Sequence, residues 1–113
     1  MIKTMKIIVV VLVLLITTAT QAQEVVTRQT EDGWEELSYD NNKKLHGRCL
    51  AWNSDSVLIA EANYLHGTKH GIWKIWWDNG QLAYKMYYSM GRKVGKWQQW
   101  NRDAVLLNEK IYR

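Results

Sequence analysis

Gly71-Ile72-Trp73-Lys74-Ile75-Trp76-Trp77-Asp78-Asn79-Gly80-Gln81-Leu82-Ala83-Tyr84-Lys85-Met86-Tyr87-Tyr88 is the stretch that decides the fold. Its first half, Ile72 to Trp77, is rich in β-branched and aromatic side chains, which suit a pleated, half-buried surface. Asp78-Asn79-Gly80 then breaks the run. Asn-Gly tolerates positive φ at both central positions, so it predicts a tight type I′ hairpin. Beyond the turn the chain alternates: Leu82, Tyr84, Met86 and Tyr88 share one face, and Gln81, Ala83, Lys85 and Tyr87 share the other. The stretch is two strands and a turn.

The same pattern recurs in both directions. Gly67, Gly71, Trp73, Trp76, Leu82 and Tyr88 reappear 24 positions later as Gly91, Gly95, Trp97, Trp100, Leu106 and Tyr112. Stepping back by 24 from Gly71, Cys49's counterpart Trp73, Trp76, Leu82 and Tyr88 gives Gly47, Cys49, Trp52, Leu58 and Tyr64. Self-similarity at a fixed period marks a repeat architecture whose terminal copies are atypical. Here the outer copies have Asp55-Ser56 and Asp103-Ala104 in place of Asn79-Gly80. Neither pair takes the mirror-image turn easily, so looser hairpins or another turn type are expected there. Gly33 to Tyr39 reads as half of a worn fourth copy, out of register by a residue or two.

These features predict an all-β fold, an antiparallel meander of consecutive β-hairpin repeats with about six strands. Proline and phenylalanine are absent, and seven tryptophans and six tyrosines supply every aromatic ring, all after Gly33. Each brings a large apolar area and one polar atom that wants a partner. Such rings suit a sheet with half-dry faces better than an oily core.

Gly71-x-Trp73-x-x-Trp76-Trp77-x-Asn79-Gly80-Gln81-Leu82, followed by Tyr88-x-x-Gly91-x-x-x-Gly95-x-Trp97-x-x-Trp100, resembles the MORN-repeat variant family. The likeness runs from about Gly47 to Tyr112 and is most specific in the central copy. It implies a string of β-hairpins and attachment to membrane lipid or protein. It also implies a second role, since many members are labelled antitoxin of a toxin–antitoxin pair. The end copies depart from the pattern in lacking Asn-Gly, and the first lacks the leading tryptophan.

The N-terminus carries a different signal. Lys3 and Lys6 precede an apolar run from Ile7 to Ile16, and small and polar residues lead to Ala22. This three-part arrangement predicts a secretory signal-peptide helix over 1–22, cut after Ala22. Ten apolar residues are short of the about 20 needed to span a bilayer. The expected mature unit is 23–113, one exported repeat domain, periplasmic or extracellular, with copies at about 43–66, 67–90 and 91–113.

Removing Lys3 and Lys6 lowers the net charge from +4 to +2, which weakens the case for a nucleic-acid partner. The remaining charge is divided. Residues 23–64 hold four basic and eight acidic groups, whereas residues 65–113 hold nine basic and three acidic. The basic half coincides with the tryptophan-rich copies. An aromatic and basic sheet face therefore suits a protein partner or an envelope component such as anionic lipid or glycan. Trp73, Trp76, Trp77, Trp97 and Trp100, with Lys74 and Lys96, form the expected contact set. Trp73 and Trp77 share a face in an ideal strand, and Trp76 points the other way. A meander also leaves two unpaired edges, through which strand addition or self-association is expected.

Catalytic chemistry finds little support. Glu31-Asp32 and Glu35-Glu36 are adjacent carboxylates, which on a strand point to opposite faces and do not form a facing pair. Cys49 is the lone cysteine and occupies an aromatic slot of the repeat, so packing accounts for it better than a Cys49–His46 nucleophile–base pair. His66-x-x-x-His70 falls in a turn, and His46 and His70 are repeat equivalents. No cofactor, metal site or enzyme activity is expected.

Overall fold

A computed structural model describes residues 23–113; the signal-peptide reading of 1–22 lies outside the described residues. The strands are β1 (Glu24–Thr30), β2 (Gly33–Tyr39), β3 (Gly47–Asn53), β4 (Leu58–Leu65), β5 (Thr68–Lys69), β6 (Gly71–Trp76), β7 (Leu82–Ser89), β8 (Arg92–Lys93), β9 (Gly95–Trp100) and β10 (Leu106–Tyr112). They form one antiparallel sheet in the order β1-β2-β3-β4-β6-β7-β9-β10, with β5 on β4 and β8 on β7. Among the described residues there is no helix.

The sheet has ten strands where the sequence predicts about six, for two reasons. Backbone at positive φ at Gly71 and Gly95 splits off the two-residue strands β5 and β8. The worn N-terminal copy also supplies a full hairpin, β1–β2, which pairs through Trp34↔Trp52 with β3. Those two indoles stack face to face with centroids 4.0 Å apart.

The turns differ from the expectation in an informative way. At Asn79-Gly80 only Gly80 has positive φ, at 84°. The loop is closed by Trp77 N–H to Gln81 O at 2.9 Å and Gly80 N–H to Trp77 O at 3.0 Å. Asn53–Val57 and Asn101–Val105 close in the same way, with Ser56 (φ 61°) and Ala104 (φ 65°) at the glycine position. Side chains replace the missing glycine there. Asn53 Oδ1 accepts the N–H groups of Asp55 and Val57, and Asn101 Oδ1 those of Asp103 and Val105. The mirror-image turns lie between copies instead, at His66-Gly67 (φ 45°, 88°) and Met90-Gly91 (47°, 83°).

The described residues form a single layer, about 20 Å in its thinnest dimension. Among the described residues Cys49 and Ala83 are the buried apolar side chains, 5 % and 1 % exposed. Cross-strand partners share a face, so the pairing assigns sides. On one face lie Cys49, Ala51, Ala60, Ala62, Tyr64, Trp73, Ile75, Tyr84, Met86, Tyr88, Trp97 and Tyr112; on the other lie Leu50, Glu61, Lys74, Lys85 and Gln98.

Left-handed backbone costs a non-glycine residue roughly 1–2 kcal/mol. Ala104→Gly is therefore expected to stabilise the chain by about 1 kcal/mol, a Tm rise of about 4–8 °C by calorimetry. Gly80→Ala, whose new Cβ meets nothing within 4 Å, is expected to lower Tm by a similar amount through backbone strain alone.

Candidate functional site

A continuous row of rings crosses the first face. Tyr64, Trp73, Tyr88, Trp97 and Tyr112 alternate edge to face, with centroid separations of 5.2, 5.5, 5.1 and 5.3 Å and interplanar angles of 60–68°. The negative face of one ring meets the positive edge of the next, which is the preferred geometry for aromatic pairs. Each tryptophan is also tethered. Trp73 Nε1–H donates to Asn63 O at 2.9 Å, and Trp97 Nε1–H donates to Tyr87 O at 3.0 Å. The 24-residue step carries one hydrogen bond onto the other.

Lysines lie over this row. Lys69 Nζ sits 4.7 Å from the Trp73 centroid and 5.1 Å from Tyr88. Lys93 Nζ sits 4.8 Å from Trp97 and 5.5 Å from Tyr112, and Lys110 Nζ lies 4.8 Å from Tyr112. Lys69 is opposite Tyr64, and Lys93 opposite Tyr88. All three lysines are exposed, and among the described residues none has a carboxylate within salt-bridge distance.

The expected contact set is divided by the sheet. Trp73 and Trp97 belong to the ring row. Lys74 lies on the opposite face, beside Glu61 and across from Lys85. Trp76 and Trp100 follow Lys74 and Gln98 by two residues on their strands, which places them on that face too. Lys96 pairs with Glu109 at 3.5 Å. Trp77 sits at the hairpin end, donating Nε1–H to Trp100 O at 3.1 Å beneath the Arg102 guanidinium. Arg102 also pairs with Asp78, and Asn79 Nδ2 donates to Arg102 O at 3.0 Å. Trp77 thus fastens two hairpin ends together. The sequence reading left Lys69, Lys93 and Lys110 out of the contact set. For the first two a signal existed, since each stands two residues before the glycine that opens β6 or β9.

The histidines have structural partners. His46 Nδ1 accepts the His66 N–H at 3.0 Å, and His70 Nδ1 accepts the Met90 N–H at 3.1 Å. Each ring pins the first residue of a mirror-image turn. Asp40, His46 and His66 converge, with candidate ligand atoms within 4.8 Å of one another. Asp40, however, spends Oδ1 on the N–H groups of Asn42 and Lys44, and Oδ2 meets His66 Nδ1 at 2.7 Å. With His46 Nδ1 also engaged, the cluster serves as a tie between the N-terminal turn and the first mirror-image turn. His70 is not part of it. Cys49 is buried, and burial pushes its thiol up, with Glu35 and Glu36 adding to the effect against an opposing Ser38 backbone hydrogen bond. A raised thiol is a poor nucleophile.

Residues 69–90 match the family model described as MORN repeat variant. The match covers the central copy, where the sequence resemblance is most specific. No curated protein and no solved structure matches the chain.

The bond to His66, followed by the Lys44 N–H, holds the Asp40 carboxyl at about 2, below its ordinary 3.8. A depressed carboxyl contributes stability that is full above its unfolded value and is lost as pH falls through the folded one. Asp40→Asn is therefore expected to be less stable than the native chain at pH 5 in urea titrations. That difference should shrink steadily between pH 3.8 and about 2.

Proposed function

We propose that this protein is a non-catalytic binding module that meets an anionic surface with the ring row of its second and third copies. The observation that carries this reading is the set of three exposed, carboxylate-free lysines held over Trp73, Tyr88, Trp97 and Tyr112. A cation over an exposed ring gains about 0.5–1 kcal/mol and keeps its charge available to a partner. Apolar rings beneath and ammonium groups above suit a surface with phosphates or carboxylates outside and apolar groups just below. Repeats of the matched kind are generally non-catalytic modules for protein or membrane interaction, and one such repeat lies at residues 69–90. A signal segment over 1–22 would place this surface in the periplasm or outside the cell, where envelope lipid or glycan supplies the anionic groups.

The test is co-sedimentation with phosphatidylcholine vesicles with and without phosphatidylserine, and pull-down by immobilised polyglutamate. Binding to the anionic vesicles is expected to weaken as salt rises. Each lysine near an anionic membrane contributes about 1 kcal/mol, so Lys69→Ala with Lys93→Ala should weaken binding by about thirtyfold at low salt. Lys74→Ala, on the opposite face, is expected to change it little. Equal losses from both faces would contradict the reading, and retention on polyglutamate alone would move the partner from lipid to acidic protein.

A further inference from the structure

The first copy departs from the other two at one connected patch. Where the central copy has Trp73, Ile75, Tyr84 and Met86, the positions 24 residues earlier hold Cys49, Ala51, Ala60 and Ala62. All four lie on the ring-bearing face and are cross-strand neighbours: Cys49 pairs with Ala62, and Ala51 with Ala60. Four large side chains are thus replaced together by small ones. The result is a cleft of about 200 Å³ floored by Cys49, Ala51, Ala60 and Ala62 and walled by Leu37, Leu45, Tyr64 and Glu35, whose carboxylate is paired with Arg28.

The repeat shows what a cleft in this position receives. Trp73 and Trp97 fill the corresponding places, each edge to face against a tyrosine on either side. Tyr64 has its tryptophan, Trp73, on one side and the cleft on the other. The hydrogen-bond acceptor is in place too. Asn63 O receives both His70 N–H and Trp73 Nε1–H, and Tyr87 O receives both Val94 N–H and Trp97 Nε1–H. In the first copy the same carbonyl is Ser38 O. It accepts the His46 N–H at 2.8 Å and, among the described residues, no side-chain donor. A site with a tyrosine wall, an alanine floor and a carbonyl with a spare lone pair has the requirements of an indole.

We infer that the cleft over Cys49 is a vacated tryptophan slot that takes an indole side chain presented by a partner polypeptide. A polypeptide is favoured over a free small molecule because sites that enclose drug-sized ligands run to about 300–1,000 Å³. This cleft is open along the sheet and matches one ring. Both occupants of its sister slots are likewise side chains hung from a chain. The slot lies on the same face as the lysine-topped rows but does not use their charge.

The test is a nuclear magnetic resonance titration of the full chain with N-acetyl-tryptophanamide, with N-acetyl-leucinamide as the apolar control. Saturable shifts are expected at Ser38, Cys49, Ala51, Ala60, Ala62 and Tyr64, with none from the leucine probe. Cys49→Trp fills the slot from within and should abolish the shifts. Ala62→Met restores the residue found at position 86 and should do the same, which keeps the test usable if one variant folds poorly. Equal response to the leucine probe, or shifts that survive both variants, would overturn the assignment. Vesicle binding is read at Lys69 and Lys93 by a separate measurement, so failure there leaves this result intact, and the reverse.

Discussion

The edge-to-face contact between a tyrosine of one hairpin and the tryptophan of the next is the interaction on which the structure depends. A 24-residue hairpin has no second layer to cover it, and an isolated two-stranded ribbon is marginal at best in water. Tyr88 touches Trp73 in its own copy and Trp97 in the next. Each ring inside the row therefore shelters two neighbours and each end ring one, and the sheet is stabilised along its length where a globule would be stabilised at its centre. The near absence of fully buried side chains follows directly, since each large ring stays half exposed. Indole and phenol tolerate this because their polar atoms still reach partners, as the Trp73 and Trp97 N–H groups do.

The same arrangement gives the two faces different surfaces. One carries the ring row, with Lys69, Lys93 and Lys110 above it and, among the described residues, no carboxylate paired with them. The other carries Glu61, Lys74, Lys85 and the Lys96–Glu109 pair, a mixed-charge surface beside Trp76 and Trp100. Cations over rings cost the fold little, because Lys69 and Lys93 are exposed and stabilise the rings they cover.

Much of this was legible in the residues. The 24-residue step located the hairpins of the three copies but not β1–β2, of which only Gly33 to Tyr39 was legible as an out-of-register half copy, and equivalence to Trp73 and Trp97 placed Cys49 in a ring position. It also identified His46 and His70 as equivalents, and both pin turns through Nδ1. Turn type was less legible. Asn79-Gly80 satisfies a mirror-image turn, but a three-residue loop needs left-handed backbone only at Gly80. The asparagines at 53 and 101 make that loop accessible to Ser56 and Ala104 through side-chain hydrogen bonds that no dipeptide rule contains. The ring-bearing face was half legible. Alternation separates Trp73 from Trp76, but which lysines cover which rings depends on β5 and β8, two-residue strands that leave no periodic trace. The cleft over Cys49 was present in the sequence as a coordinated loss of volume, and it becomes visible only when cross-strand pairing brings positions 49, 51, 60 and 62 together.

A double-mutant cycle between Tyr88 and Trp97, with each ring replaced by leucine singly and together and stability read by urea unfolding, bears most directly on whether rings hold the copies together. An edge-to-face pair contributes about 0.5–1.5 kcal/mol beyond the area it buries, and a coupling energy in that range is predicted. A coupling indistinguishable from zero would mean that backbone pairing alone joins the hairpins, and would contradict the account.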